Sequence, residues 1–581
     1  MKQWKRYKSY ILPYKSAFIL GPLMMVTEVL GEILLPKFMS MIINHGVAQK
    51  DGGYILKMGF VMAITSFLMA AGGILGAYFA AKASISFTSD LRRDLFARVQ
   101  QFSFKNIDTF STGSLVTRLT NDIQQVQNLI MMGLRMMLRA PGMFLGALVM
   151  AFWMNAELAA VILVVIPLLT AAIVWILRTA YPRFTAMQKA LDTLNSGIQE
   201  VLTNVRVVKS FVREDYEEKR FADTNRELKE AGLRALKIVI ATMPVMMFAM
   251  NVTTLAVVWF GGNLIIGGRM AVGDLTAFTT YIVQILMSLM MLSMVFLQSS
   301  RAMASIRRID EVLDEPIDLS DENASQKDRK VEKGRVEFKD VSFSYREGGE
   351  PVLSHISLTA EPGETIGILG ATGSGKTSLV QLIPRLYDVT EGSVRVDGID
   401  VREYSLKNLR DGVGMVLQKN VLFSGTIEEN LRWGDETATE EEVRRAAVYA
   451  QADSFVNSFA EGYKTEMGQG GVNVSGGQKQ RLCIARALLK KPKILILDDS
   501  TSAVDTKTDA QIRKALREYI PETTKIIIAQ RISSVQDADR ILVMDGGTIC
   551  NIGTHEELLK TSEIYREVYT SQNKGGDSDE K

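Results

Sequence analysis

Apolar residues are concentrated in the first half of the chain, where they form six stretches of helical length. These stretches lie at roughly 17–43, 55–82, 130–154, 157–178, 238–266 and 275–300. Each is long enough, at about 1.5 Å per residue, to cross a bilayer core of about 30 Å. An even number of spans predicts that both ends of this half lie on the same side of a membrane.

The connections between these stretches alternate in length and charge. The second and fourth connections have about 50 to 60 residues and are rich in Lys and Arg, whereas the other three are short and carry few cations. The positive-inside rule therefore places the long connections and the second half of the chain in the cytoplasm. Because both long connections have helical patterning, we expect the spanning helices to extend well beyond the bilayer.

Two short polar corners, at 104–108 and 211–215, occupy equivalent places near the middle of the two long connections. Their equivalence favours tips that dock on the soluble half and transmit motion over ordinary solvated helix turns. Residues 2–15 are basic and aromatic, which is typical of a segment that lies on a membrane surface. The segment is more typical of a retained anchor than of a cleaved signal peptide, because no small-residue cleavage site follows it.

The pattern changes after about residue 305, and alternation at 336–345 predicts the first strand of a soluble domain. The predicted organisation is a membrane α-helical domain with six transmembrane helices over 1–305, fused through a linker at 306–334 to an α/β P-loop nucleotide-binding domain over 335–570. Residues 571–581 are expected to form a disordered tail.

A glycine-rich segment at 370–378 follows the apolar run 365–369 and precedes a helical run at 379–383. This is the spacing of a phosphate-binding loop between a buried strand and a helix. Backbone N–H groups of such a loop surround phosphate oxygens, Lys376 would reach the β- and γ-phosphates, and Thr377 would offer its hydroxyl to Mg²⁺. The predicted nucleotide contacts here are Gly370, Thr372, Gly373, Ser374, Gly375, Lys376, Thr377 and Ser378.

Further candidate nucleotide residues follow in order along the chain. Gln418 ends a buried strand, where its amide would reach a Mg²⁺-bound water, and Asp498 ends the apolar run 494–497, where its carboxylate would bind the metal. A second anion-binding loop opens a helix at Ser475, Gly476, Gly477 and Gln478, and Asp505 follows a few residues after the metal carboxylate. Tyr345 either stacks on an adenine or is a core tyrosine.

These motifs, taken together, resemble those of ATP-binding cassette (ABC) exporters of the half-transporter type, and the resemblance covers nearly the whole chain. It implies ATP and Mg²⁺ as cofactors and a head-to-tail pair of nucleotide-binding domains. In such a pair, ATP on residues 370–378 of one domain is closed by residues 475–478 of the other. It also implies a multi-pass protein of the cell (inner) membrane that exports amphipathic drugs, lipids or hydrophobic peptides.

Two positions depart from the family pattern. Asp499 stands where the family has a general-base glutamate, and Gln530 stands where it has a switch histidine. The pattern therefore resembles the subunit of a heterodimeric exporter whose own ATP site binds ATP but hydrolyses it poorly, while its 475–478 loop completes the competent site of a second half-transporter. A slow homodimer, or an ATP-gated channel or receptor with little hydrolysis, are the alternatives.

Ionisable residues within the first apolar stretch mark a candidate substrate cavity. Glu28 and Glu32 stand four residues apart on one helix face, and ionisable groups at membrane depth usually face water or a partner. An ion pair with Lys37 is the alternative. Methionine stripes on the fifth and sixth stretches could line the cavity or pack helices together. They comprise Met243, Met246, Met247, Met250, Met287, Met290, Met291 and Met294, of which Met287 and Met291 are the cavity candidates.

The charge and the cysteine content of the chain limit the classes of partner and the compartment that we expect. The formal net charge of +2 implies no general attraction to nucleic acid, so the expected partners are the lipid bilayer, an apolar or amphipathic small molecule and the second subunit. Both cysteines, Cys483 and Cys550, lie in the soluble half, which argues against a disulfide framework and fits a reducing compartment.

Overall fold

The computed structural model describes residues 2–322, 324–346 and 348–574, and it divides the chain into two units. The first unit comprises Met1–Val99 and Gly113–Asp314, and the second comprises Gln100–Thr112 and Glu315–Lys581. The last helix of the first unit ends at Asp314, nine residues beyond the predicted domain end at 305, because its helical pattern continues into the charged segment.

Long helices build the first unit. They are α1 (Lys2–Ile11), α2 (Lys15–Met41), α3 (Gly52–Gln100), α5 (Thr112–Thr117), α6 (Ile123–Met154), α7 (Ala156–Thr203), α8 (Val205–Ser210), α9 (Glu214–Ile266) and α10 (Val272–Asp314), with α4 (Phe104–Thr109) in the second unit. Among the described residues, six helical stretches are long and apolar enough to cross a membrane, as predicted. With 49 residues, α3 is about 74 Å long, far more than a bilayer core requires.

Small residues allow α2 and α3 to approach closely. A Cβ atom on Gly72 would lie 2.2 Å from Thr27 Oγ1, and one on Gly76 would lie 3.2 Å from the carbonyl oxygen of Gly21. These glycines stand four residues apart on α3, so they present one face of the helix to α2. The absence of side chains on this face brings the two backbones together.

Carboxylates on the long helices bind the aromatic N-terminal segment. Tyr7 donates a 2.9 Å hydrogen bond to Asp310 on α10, and Tyr10 donates a 3.0 Å bond to Asp94 on α3. The segment is therefore attached to both helices through its tyrosines, a contact that its interfacial composition alone does not reveal.

The second unit is an α/β domain. Its strands are β1 (Val336–Phe343), β2 (Leu353–Ala360), β3 (Thr365–Gly370), β4 (Glu391–Val396), β5 (Ile399–Asp400), β6 (Val413–Val416), β7 (Gly425–Thr426), β8 (Glu466–Met467), β9 (Ile494–Asp498), β10 (Thr524–Ile528), β11 (Arg540–Asp545) and β12 (Thr548–Gly553). Its helices, besides α4, are α11 (Lys376–Gln381), α12 (Leu406–Asp411), α13 (Ile427–Arg432), α14 (Glu440–Tyr449), α15 (Asp453–Val456), α16 (Gly476–Leu489), α17 (Thr506–Tyr519), α18 (His555–Thr561) and α19 (Glu563–Lys574).

A six-stranded sheet with the order β12-β11-β3-β10-β9-β6 forms the centre of this unit, and a four-stranded antiparallel sheet has the order β2-β1-β4-β5. Every residue of β9 and β10 is buried, which is characteristic of parallel strands covered on both faces. The final helix reaches Lys574, so helical structure continues past the predicted start of the tail at 571.

The first polar corner, at 104–108, lies in the second unit, as the docking prediction requires. Its helix α4 begins with a capping box between Ser103 and Asn106, and Tyr387 donates a 2.9 Å hydrogen bond to Asp108. The Phe104 ring lies 6.0 Å from the Tyr387 ring. The second corner, at 211–215, belongs to the first unit, and its docking stays a prediction.

The close approach of α2 and α3 leads to a stability prediction. Replacing Gly72 by Leu should destabilise the helix pair by about 1–3 kcal/mol or more, because the new side chain would overlap α2. Gly59→Leu on the same helix is the matched control, since a Cβ there meets no described atom within 4 Å. We expect a lower melting temperature of the detergent-purified protein for the first variant only. Equal melting temperatures would show that the pair is not close-packed.

Candidate functional site

The carboxyl ends of three neighbouring parallel strands bring the predicted nucleotide residues together. In the ladder, Ile528 of β10 pairs with Ile368 of β3 on one side and with Asp498 of β9 on the other. The segments that follow these strands consequently meet around a cavity of about 480 Å³. The predicted residues that line it are Gly370, Thr372, Gly373, Gly375, Lys376, Thr377, Ser378, Gln418, Asp498, Asp499 and Gln530.

The glycine-rich loop has the backbone of an anion-binding turn. Gly373 and Gly375 have φ angles of +87° and +89°, in the left-handed region that side chains disfavour. At Gly375 a Cβ would also lie 2.9 Å from the carbonyl oxygen of Val352. Ser374, another predicted contact in this loop, is buried. Glycine is thus required at 375 by both conformation and space.

Lys376 lies along the loop, where its Nζ donates to the carbonyl oxygens of Gly370 and Ala371 at 2.9 and 2.7 Å. Burial lowers the pKa of this ammonium group, while Asp498 and Asp499 oppose that shift. A polyanion beside Lys376 would favour the charged form, so the loop offers a cation whose charge the protein only partly balances.

Asp498 has the properties of a metal ligand. Its Oδ1 accepts a 3.1 Å hydrogen bond from Thr377 Oγ1, and its buried Oδ2 has no hydrogen-bond partner among the described residues. Burial raises the pKa of this carboxyl group, partly offset by the hydrogen bond from Thr377. A carboxylate and a hydroxyl side by side are the oxygen ligands that Mg²⁺ prefers, so the residues fit that ion.

The two departures from the family pattern contact each other. Gln530 Nε2 donates a 2.8 Å hydrogen bond to Asp499 Oδ2. Asp499 has φ +47°, a conformation that costs a residue with a side chain about 1 kcal/mol or more. Burial raises the pKa of Asp499, and the bond from Gln530 opposes that shift. The carboxylate is therefore engaged by an amide that can donate but cannot take up a proton.

The second glycine loop lies outside the lining of this cavity. Ser475 and Gln478 form a capping box that opens α16, and both Ser475 and Gly476 are exposed. A Cβ on Gly477 would lie 2.6 Å from the carbonyl oxygen of Ala503, so glycine lets the loop approach the segment after β9.

Two further predicted contacts also lie outside the lining. Asp505 caps α17 by accepting a 2.9 Å hydrogen bond from the Thr508 backbone. Tyr345 is 41% exposed, and its hydroxyl lies 2.8 Å from Ser378 Oγ at the cavity edge. Its ring packs against Phe343 with centroids 4.8 Å apart, so part of the ring is core and part remains accessible.

Comparison with known proteins extends over both units. Family models described as ABC transporter transmembrane region and ABC transporter match residues 18–289 and 353–502. An uncharacterized ABC transporter ATP-binding protein of Bacillus subtilis, YfiB, is 42% identical over 564 residues, which is 97% of this chain and 98% of the relative. The chain belongs to the ABC transporter family.

Other ABC transporters share the same full-length match. An uncharacterized ABC transporter ATP-binding protein of Mycobacterium tuberculosis is 39% identical over 97% of each chain. YgaD of Bacillus subtilis, provisionally named as a multidrug export ATP-binding/permease protein, is 32% identical over 98% of this chain and 99% of its own length. A bacterial Atm1-family ABC exporter solved with ATP bound has a TM-score of 0.76 and 26% identity, covering 97% of this chain and 98% of that one.

These matches confirm an exporter of the half-transporter type, with an N-terminal helical membrane domain and a C-terminal nucleotide-binding domain. The ATPase domain makes this ABC transporter an ATP-hydrolysing, multi-pass membrane protein. Its nucleotide-binding domain is cytoplasmic, which is consistent with the inner membrane of bacteria.

In the membrane domain of the transporter, the proposed cavity carboxylates pair with a residue that the sequence analysis did not consider. Glu28 Oε1 and Glu32 Oε2 each lie 3.3 Å from Arg139 Nη2 on α6. Lys37, the expected alternative partner, instead lies 3.7 Å from Asp274 on α10. That alternative is wrong in its partner, because the packing of α6 supplies a closer cation than the next turns of α2 do.

The two cavity methionines lie on α10. Met287 is 52% exposed and Met291 is half-buried. The side chains of Met243, Met246 and Met294, from the same predicted stripes, lie outside the described part of the structure. Whether Met287 and Met291 contact a substrate stays a prediction.

Three residues of the last helix, α19, are additions to the predicted nucleotide site. Ile564 and Val568 line the cavity, and Gln572 hydrogen-bonds to the backbone of Gln530. The apolar pair at a spacing of four residues is a helical signal, but nothing in it indicates which surface the helix covers.

The environment of Lys376 leads to a binding prediction. Lys376→Ala should weaken ATP binding to the purified transporter about 10- to 100-fold, because it removes a charged hydrogen-bond donor from a partly buried site. Lys419→Ala, which removes the same charge from an exposed position beside Gln418, should bind almost normally. Titration with a fluorescent ATP analogue measures both. Similar affinities for the two variants would exclude the phosphate role of Lys376.

Proposed function

We propose that this chain is one subunit of a heterodimeric ABC exporter, and that its own ATP site binds nucleotide but hydrolyses it poorly. The observation that carries the proposal is the hydrogen bond between Asp499 and Gln530 in a cavity that otherwise has the parts of an ATP site. Among the described residues that line the cavity there is no glutamate and no histidine.

The chemistry of this pair limits proton transfer. A general base must lie within hydrogen-bond reach of the attacking water. The side chain of Asp499 is one methylene shorter than that of the glutamate in the family pattern, so its carboxylate has less reach. The same carboxylate accepts a bond from Gln530, whose amide cannot take up a proton. Loss of a well-placed base typically slows a reaction about 10²- to 10⁴-fold. ATP binding would stay intact, because the base acts only in hydrolysis.

The rest of the cavity supports binding. Thr377 and Asp498 would hold Mg²⁺, with Gln418 reaching a water on the ion, and the ion would neutralise charge on the β- and γ-phosphates. Lys376 would contact the same phosphates. The buried, unpartnered Oδ2 of Asp498 supports this assignment, since a divalent cation would stabilise the ionised carboxylate there.

The second glycine loop, at 475–478, which we call the signature loop, would serve the partner's site. Ser475 and Gly476 are exposed and lie outside the lining of this chain's own cavity, which suits a loop that closes over ATP held by another domain. Its capping box uses the N–H groups of Ser475 and Gln478. The N–H groups of Gly476 and Gly477, in the first turn of α16, would then be available to phosphate oxygens. Asp505 and Tyr345 would lie near the nucleotide at the edges of the two sites.

The substrate class follows from the membrane domain. Glu28 and Glu32 share Arg139, so the cluster has two carboxyl groups for one guanidinium and a formal negative charge at membrane depth. Together with the soft surface of Met287 and Met291, this charge favours amphipathic drugs, lipids or hydrophobic peptides, with a preference for cationic compounds. The multidrug name of YgaD supports the same class.

Hydrolysis by the isolated chain tests the assembly. Purified alone, this chain should show ATPase activity close to that of its Lys376→Ala variant, because every composite site it can form contains Asp499 and Gln530. Co-purification with a second half-transporter should raise vanadate-sensitive activity. Robust turnover by the chain alone would support a slow or ordinary homodimer instead, and ATP-dependent ion conductance without transport would support a channel.

Restoring the two positions tests the defect itself. Asp499→Glu alone should recover little activity, because proton handling still depends on position 530. Adding Gln530→His supplies a titratable group near neutral pH, so the double variant should hydrolyse ATP faster than either single variant, and more than additively.

The measurement uses the complex in which the partner's catalytic glutamate is replaced by Gln, so that only this site turns over. If the double variant remains as inactive as its parent while still trapping ATP, the defect does not lie in Asp499 and Gln530.

A further inference from the structure

The last helix of the chain is fixed at its start by the domain core. Tyr565 of α19 is fully buried, and its hydroxyl lies 2.6 Å from His555 Nδ1 on α18. The Tyr569 ring packs against the same imidazole, with centroids 5.4 Å apart. Two aromatic anchors one turn apart hold the helix axis in place.

One face of this helix is directed at the ATP cavity. Ile564 and Val568 line the cavity, and Gln572 follows at the same spacing of four residues on that face. The face therefore ends, one turn beyond the cavity wall, in an amide group.

The Gln572 amide binds the backbone of the loop that carries Gln530 at two points. Gln572 Nε2 donates a 2.8 Å hydrogen bond to the carbonyl oxygen of Gln530, and Gln572 Oε1 accepts a 2.9 Å bond from the backbone N–H of Ile532. Both polar groups of one side chain thus satisfy the backbone on either side of Arg531. Such a two-point attachment restricts the rotation of the loop more than a single bond does.

The loop at 530–532 in turn forms hydrogen bonds with the segment after β9. Arg531 donates to the carbonyl oxygens of Ser502 and Val504 at 3.1 and 3.2 Å. From α16, Gln480 donates a 3.1 Å bond to Ser502 Oγ and accepts a 3.0 Å bond from the Ala503 backbone. A continuous hydrogen-bonded path therefore joins α19 to the helix that begins at the signature loop.

From this geometry we infer that α19 is a wall of the ATP site and that Gln572 is a positioning residue for position 530. Gln572 fixes the backbone of that loop, so it sets the direction in which the side chain at 530 points toward Asp499 and the nucleotide. Through Arg531 it also steadies the segment at 502–504. The inference rests on the proposed function only for its catalytic readout, since the attachment itself is a property of the folded chain.

Hydrogen–deuterium exchange of the full-length protein tests the attachment. Gln572→Ala should speed amide exchange in a peptide covering 530–534, because the Ile532 N–H loses its acceptor. Gln572→Glu keeps that acceptor and loses the donor to Gln530, so its exchange should stay close to that of the parent. Ser571→Ala, at the adjacent exposed position, is the matched control. Unchanged exchange in Gln572→Ala would overturn the inference, whatever the activity of the site.

The catalytic readout uses the Asp499→Glu, Gln530→His background in the complex described above. There, Gln572→Ala should lower kcat about tenfold, since two hydrogen bonds that orient the loop are lost, with the KM for ATP changed less than about twofold. Gln572→Glu should also lower kcat, because it loses the bond to the carbonyl at 530. A rise in the KM for ATP as large as the fall in kcat, or a normal kcat in both variants, would show that Gln572 is structural only. If this background is itself inactive, the defect of the site does not lie in Asp499 and Gln530, while the exchange experiment still decides the role of Gln572.

Discussion

The backbone ladder that joins β3, β10 and β9 is the constraint on which the ATP site depends. Its parallel register aligns Ile368, Ile528 and Asp498 at one level of three adjacent, largely buried strands. The loop after β3, the turn after β10 and the carboxylates at the end of β9 therefore emerge side by side. A slip of one residue in β9 would turn Asp498 toward the opposite face of the sheet and separate it from Thr377. Burial of the apolar strands thus fixes the positions of polar groups that are not needed to hold the sheet together.

Burial disfavours the charged forms of three of these polar groups. Burial raises the pKa of Asp498 and Asp499 and lowers that of Lys376, so each of the three is disfavoured in its charged form. A magnesium nucleotide would bring a dication to the carboxylates and a polyanion to the ammonium group, which reverses both penalties together. Ligand binding would consequently stabilise the folded site as a unit. The left-handed backbone of Asp499 adds strain at the same point, and its hydrogen bonds to Gln530 and to the backbone of Ile528 hold it there.

The sequence predicted those features whose signal is local. Six apolar stretches, the buried runs of β3, β9 and β10, and the spacing of Gly373, Gly375 and Lys376 can each be recognised within a window of about 20 residues. Contacts between distant segments could not be predicted in this way. Glu32 and Arg139 are 107 residues apart, and Gln530 and Gln572 are 42 residues apart. Lys37 was the nearest cation along the helix, but helix packing rather than sequence distance decides which charge is closest at membrane depth.

Order and catalytic competence are separate properties at this site. The side chain of Gln530 binds Asp499, its carbonyl oxygen binds Gln572, and the neighbouring Arg531 binds the segment that Gln480 also holds. The amides and the guanidinium in this path keep their protons near neutral pH, so the contacts that they donate do not require proton exchange. A histidine at 530 would instead change charge in that range and make the path sensitive to its protonation state. An amide at position 530 therefore favours a site that stays assembled around ATP. In the proposed heterodimer, such a site would keep the two nucleotide-binding domains associated while the partner's site hydrolyses ATP.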